Sequence, residues 1–183
     1  MAEEKKRLTE EEARRIRADG QVTVAMNYFR EKRDKEALRL FDDILTDDPG
    51  NSRAMKGRCL ALGRMGRFDE ALEAVAAMLR NDPNDARAYD ARASIYEYMG
   101  RLQEARAEFE RALALEPEGA DQHYNFACYW AARGDAERCR HHLAEALRLD
   151  PPSHVYAATD VDLERYREEE WFQELVAFKK REE

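Results

Sequence analysis

The chain has 183 residues, 38% of them charged, with a formal net charge of −8. That balance excludes a general nucleic-acid binder, which needs surplus Lys and Arg to displace counterions from phosphates. β-branched residues are scarce (six Val, three Ile, four Thr) while Ala, Leu, Glu and Arg dominate; these lose least on entering a helix, so the expected fold is all-α. No apolar run approaches the ~18 residues of a membrane span. Met1 to Arg7 is charged and no apolar h-region comes after it, so no secretory signal is expected. Cys59, Cys128 and Cys139 are an odd number without paired spacing, as for free thiols in a reducing compartment, and a cytoplasmic protein is expected.

In chain order, residues 2–17 form a charged helix candidate. Thr9 and Glu12 have the spacing of a capping box, and Ala13 with Ile16 gives only a thin apolar edge, so this extension caps the first hairpin or frays. Beyond it lies a strict period. Pro49, Pro83, Pro117 and Pro151 stand 34 residues apart, each marking a helix stop because proline lacks the N–H and clashes with the preceding turn. Gly66, Gly100 and Gly134 keep the same spacing and suit turns that need φ > 0. Small residues recur at Ala37, Ala71, Ala105 and Cys139, and large apolar ones at Phe41, Val75, Phe109 and Leu143. Between these marks the apolar spacing is helical: Tyr89, Ala93 and Tyr96, then Leu102, Ala105, Phe109 and Ala112. Each period is therefore helix, turn, helix, turn, and neighbours must stack to bury their apolar faces.

This pattern resembles the tetratricopeptide repeat family over residues 18–151, in repeats 18–51, 52–85, 86–119 and 120–153. The family's small residue in the first helix matches Ala25, Cys59, Ala93 and Ala127, and its large residue three positions on matches Tyr28, Leu62, Tyr96 and Trp130. Lys32 stands where the first repeat should have its turn glycine, and Cys139 where alanine is usual. The resemblance implies a right-handed α-solenoid of four helical hairpins that binds other proteins. Residues 152–183 form a closing segment. Its Thr159, Asp160, Asp162, Leu163, Arg167 and Phe172 resemble the terminal unit of a group of bacterial tetratricopeptide proteins. Asp160 or Asp162 can cap a short helix, and Leu163, Tyr166, Trp171, Phe172 and Leu175 supply an apolar lid over the last hairpin.

In such hairpins the first helices line a concave face. If positions 4, 8 and 11 of a repeat pack inward, positions 2, 5, 9, 12 and 13 face the groove. The groove positions that combine charge with apolar anchors are Met26, Phe29, Arg53, Lys56, Leu60, Arg64, Arg87, Tyr98 and Tyr124. The same rule puts Val22, Gly63, Asp90 and Ala131 in the groove. Arg53, Lys56, Arg64 and Arg87 are four cations in an acidic protein, suited to a protein or peptide partner with acidic and apolar groups. The dicarboxylate clamp by which family members grip chaperone tails is not made. Its positions hold Val22, Met26, Gly57, Arg87 and Ala91, or, shifted by one repeat, Lys56, Leu60, Ala91, Asp121 and Asn125.

No catalytic motif is present, no cofactor is expected, and His123, His141, His142 and Cys139 do not converge as structural zinc ligands must. Cys128 lacks the adjacent base that would activate it. The expected function is a non-enzymatic adaptor or scaffold, with neither nucleic acid nor membrane as partner. Two rival readings stand beside it: a dedicated chaperone for a secreted or assembly-prone substrate, and a self-assembling scaffold.

Overall fold

The structure is a computed structural model that describes residues 9–177, the side chains of 10–15 excepted. Glu12 of the Thr9–Glu12 box and the Ala13 edge therefore lie outside the described side chains. Among the described residues there are no strands. Among the described residues the first eight of the ten α-helices are, in order, α1 (Glu10–Arg30), α2 (Asp34–Asp47), α3 (Ser52–Arg64), α4 (Phe68–Asn81), α5 (Ala86–Tyr98), α6 (Leu102–Leu115), α7 (Ala120–Ala132) and α8 (Ala136–Leu149). They pack as consecutive hairpins, α1 with α2, α3 with α4, α5 with α6 and α7 with α8. α1 runs unbroken through the expected 17/18 boundary, so its described part is one helix with the first repeat.

One turn closes the first helix of every hairpin. The second residue after the helix bonds back three residues, and the third bonds back five. These bonds run from Lys32 N–H to the Phe29 carbonyl and Arg33 N–H to Tyr28, then Gly66 to Gly63 and Arg67 to Leu62. Gly100 to Glu97 with Arg101 to Tyr96, and Gly134 to Ala131 with Asp135 to Trp130, complete the set. This αL ending needs positive φ at its pivot, which glycine adopts freely. The three glycines stand at φ 76°, 74° and 75°, and Lys32 is held at 59°. A side chain in that region costs about 1–2 kcal/mol, partly offset in a glycine variant by the looser unfolded chain. Lys32→Gly should therefore raise stability by roughly 0.5–1 kcal/mol in urea melts. A loss of stability would show that the Lys32 side chain supports the turn.

The chain divides into two compact units, one up to Asn81 and one from Asp82. In the first, Val22, Ala25, Ala37, Phe41, Ile44 and Ala54 form a core, with Met26, Tyr28 and Phe29 packed against it. In the second, Phe109, Phe126, Ala127, Tyr129, Trp130, Cys139 and Leu143 form the core. Both residue combs that set the register are buried throughout: Ala37, Ala71, Ala105 and Cys139 at 0%, and Phe41, Val75, Phe109 and Leu143 at 0–1%.

The C-terminal segment completes the second core. It comprises a 3₁₀ turn (Pro151–Ser153), α9 (His154–Ala157), a second 3₁₀ turn (Val161–Tyr166) and α10 (Glu170–Val176). Leu163, Tyr166 and Phe172 are buried, and Trp171 and Leu175 pack beside them, as the lid requires. Of the two candidate caps the structure selects Asp160, whose carboxylate accepts from the Asp162 N–H at 2.9 Å and from the Tyr124 hydroxyl at 2.7 Å. Arg167 donates to the Asp160 carbonyl (3.3 Å), closing the loop, and Arg165 donates to the Ala131 carbonyl at the end of α7 (2.6 Å).

Candidate partner-binding faces

α1 packs on α3 within the first unit and α5 on α7 within the second, so first helices lie side by side in each. This corrects the simple one-sided helix picture. A first helix is covered by its own hairpin mate and by the first helices beside it. Position 5, expected in the groove, is consequently buried at Val22 (1%), Lys56 (8%) and Asp90 (0%) and half-buried at Tyr124. Gly63 and Ala131 are buried as well.

The four cations are divided between the units: Arg53, Lys56 and Arg64 on α3, and Arg87 on α5. Arg64 is a staple inside the first unit. Its Nε donates to the Asp34 carboxylate at 2.8 Å, its Nη2 donates to both Asp34 and the Phe29 carbonyl, and its guanidinium lies 3.5 Å over the Phe29 ring. It thereby gives the Phe29 carbonyl at the end of α1 a second donor beside the Lys32 N–H, and stacks a cation on the Phe29 ring. Arg53 remains well exposed, with a loose 3.8 Å approach to Asp19, and Arg87 is exposed beside the Asp85 cap of its own helix at 3.4 Å. Lys56 and Leu60 are buried within α3. Met26 and Phe29 are half-buried against the first core, and Tyr98 is 40% exposed. Tyr124 packs on the second core and gives its hydroxyl to Asp160.

In the second unit α5 and α7 are laced by polar bonds that the sequence does not announce. Asn125 donates to the buried Asp90 carboxylate and Arg133 to Glu97, each at 2.8 Å. Burial pushes the Glu97 carboxyl up, against the pull of Arg133. A recurrent signal was available at the second helices: Arg33–Glu36, Arg67–Glu70 and Arg101–Glu104 pair at i, i+3, and the order inverts at Asp135–Arg138. Where the order inverts, Asp135 caps α8 by accepting from the Arg138 N–H, which arginine cannot do at the other three starts.

His123 and His142 face each other across α7 and α8 with their Nδ1 atoms 3.1 Å apart. The Pro117 carbonyl, 3.1 Å from His123 Nε2, can only accept, so that nitrogen carries a proton. With both rings neutral, His142 Nδ1 then donates to His123 Nδ1. Burial first, then the neighbouring His123 and His141, pull His142 down to about 4, with Glu145 opposing. A histidine held neutral contributes stability that is complete above its ordinary value near 6.5 and lost as pH falls toward 4. Discounted for the solvent that reaches the ring, the loss should be on the order of 1–2 kcal/mol. Comparing urea melts at pH 7.5 and 4.5, His142→Gln should shrink the drop by that amount. An identical drop in both proteins would refute the assignment.

Among the described residues no group of three or more His, Cys, Asp or Glu side chains is arranged to hold a metal ion. Burial raises the thiols of Cys59 and Cys139 to about 12 and that of Cys128 well above its ordinary value. All three stay protonated at neutral pH, and the thiolate is the nucleophile. In iodoacetamide at pH 7.5 the native protein should label slowly and the unfolded protein at all three positions. Rapid labelling of the native protein would contradict this.

Paired helices in tandem, closed by one repeated turn and laid first helix against first helix, define an α-helical repeat protein. Residues 28–95 and 86–118 each match a profile described as Tetratricopeptide repeat. The chain belongs to the tetratricopeptide repeat family, whose general role is to bind other proteins as a non-enzymatic scaffold. Among solved structures it is similar to TTC0263, a thermophilic TPR protein of Thermus thermophilus. That match has a TM-score of 0.59 and 19% identity, covering 81% of each chain. It is also similar to pilF of Pseudomonas aeruginosa (TM-score 0.51, 18% identity, 89% of this chain and 75% of that one). A third is MamA (TM-score 0.50, 17% identity, 84% and 88%). At these identities the likeness is one of fold. No curated protein matches the chain in sequence. Among the described residues no helix is long and apolar enough to cross a membrane.

Proposed function

We propose that the chain is a cytoplasmic adaptor that holds a segment of a partner protein against the inner faces of its first helices. The observation that carries this is the side-by-side packing of first helices within each unit, which presents one row of side chains to a single ligand. The contact residues in this reading are Arg53 and Arg87 as exposed cations and Met26, Phe29 and Tyr98 as apolar anchors. Lys56, Leu60, Arg64 and Tyr124 serve chiefly to hold the faces in place, because their side chains are buried or bonded within the fold. The partner segment for the first unit is acidic, since exposed guanidiniums pair with carboxylates through charge-assisted hydrogen bonds.

The test is capture from native lysate by the full chain and by the double variant Arg53→Glu, Arg87→Glu, with bound proteins identified by mass spectrometry. Lys56 is left alone because a carboxylate at that buried position would disturb the fold. Loss of a specific partner with an unchanged melting curve supports the reading. Equal capture by both proteins overturns it.

A further inference from the structure

We propose that the uncovered face of α1 is a docking site for an amphipathic helix of a partner protein, which packs there as the second helix of a neighbouring hairpin packs on α3 and α7. Helical spacing puts Ile16, Gly20, Thr23, Val24 and Asn27 on one side of α1. None of them carries a charge in a chain that is 38% charged, and all five are exposed, Ile16 to 56% and Val24 to 45%. A Cβ added at Gly20 would meet nothing within 4 Å. The other side of the helix, with Val22 and Ala25, is the one turned to the first core.

The repeat selects the occupant, because the same register positions are covered on α3 and α7. Ala54, Gly57 and Ala61 stand one period after Gly20, Thr23 and Asn27, and all are buried where α2 packs on α3, with the Phe41 ring against Gly57. Phe126 and Tyr129 stand three periods after Val24 and Asn27, are 4% and 3% exposed, and pack their rings on Phe109 of α6. In both places the covering element is a second helix with alanine and then a large apolar residue four positions on: Ala37 and Phe41 in α2, Ala105 and Phe109 in α6. Charge fixes its direction. Arg64, the last residue of α3, donates to Asp34, the first residue of α2, so the covering helix runs antiparallel. Arg30 is the last residue of α1 at the same register position, exposed and bonded at 3.0 Å to Asn27 of its own helix. It offers an acidic first turn the same charge-assisted bond. Val24 stands where Arg58 meets the Asp42 carboxylate on α3, so the occupant is apolar at that point. The partner helix is therefore antiparallel to α1, acidic at its start and apolar where Ala37, Phe41 and Asp42 lie in α2. This site goes beyond the inner-face reading and shares none of its contact residues.

The probe is the α2 sequence with alanine for Asp42, acetyl-Asp-Lys-Glu-Ala-Leu-Arg-Leu-Phe-Ala-Asp-Ile-Leu-Thr-Asp-amide, titrated into the ¹⁵N-labelled full chain. The amides of Gly20, Thr23, Val24 and Asn27 should shift. Val24→Asp should weaken the peptide by at least about tenfold, because the new carboxylate would be buried against apolar groups without a partner. Val24 is exposed in the free chain, so a thermal melt should show the fold intact. Asn in place of the first Asp of the peptide should weaken binding to the native chain about threefold more than binding to Arg30→Gln. Absent shifts, shifts confined to other residues, an unchanged affinity in Val24→Asp, or an equal loss from the Asn peptide in both chains would each overturn the proposal. So would concentration-dependent shifts of the same amides in the chain alone, which would assign the face to a second copy. Neither Arg53 nor Arg87 belongs to this face. If partner capture still depends on those cations while the peptide fails to bind, the adaptor reading stands and only the α1 site falls.

Discussion

Phe172→Ala should cost the protein about 3–5 kcal/mol, the usual loss for truncating a fully buried phenylalanine. The ring is 1% exposed, lies edge-on to Trp171 with centroids 5.7 Å apart, and belongs to the same core as Phe126, Trp130 and Leu143. Against a total stability of about 5–15 kcal/mol for a domain, such a loss is decisive. Hydrogen exchange should place it in α7 and α8, whose outer edge the closing segment covers. A loss below ~1 kcal/mol, the scale of a surface change, would mean that the segment rests on the last hairpin without completing its core.

Gly57→Ala should be the second large effect, and its sign runs against helix propensity. In an open helix the change gains up to about 1 kcal/mol. Here a Cβ at residue 57 would stand 2.2 Å from Phe41 Cζ and 2.4 Å from Cε1. The Phe41 ring is 0% exposed and has no space to swing away. Overpacking of this kind costs about 1–3 kcal/mol, so we expect a net loss of roughly 2 kcal/mol. The partner change identifies the cause. Phe41→Leu shortens the side chain, and the double variant should be more stable than the sum of the single losses by at least about 1 kcal/mol. Strict additivity in urea melts would exclude a Phe41 clash as the origin.

The fold was legible because its signals are local. Proline at residues 49, 83, 117 and 151 stops a helix wherever it stands, and glycine at 66, 100 and 134 turns one whatever surrounds it. The apolar lid was legible for the same reason: Leu163, Tyr166 and Phe172 have no use in so charged a tail except burial. The departure at Lys32 was visible in the sequence, and the structure shows that the lysine takes the glycine conformation there at φ 59°.

The candidate faces were less legible. Helical periodicity says which residues share a side of a helix but not how many sides its neighbours cover. Val22, Lys56 and Asp90 share one register position and all are buried, because a neighbouring first helix packs where a one-sided picture has solvent. Arg64 reads in the sequence as one more groove cation. Only the fold brings Asp34, 30 residues away, and the Phe29 ring and carbonyl to its guanidinium.

The sequence by itself determined an all-α chain of 34-residue hairpins with a closing lid, since helix stops, turns and apolar spacing act within a few residues. Only the tertiary structure decided which charges stay exposed and which staple the hairpins. It also decided which glycine lacks room for a methyl group and that His123 and His142 meet at 3.1 Å. Those outcomes depend on residues some 16 to 36 positions apart converging, a distance at which no helical period carries information.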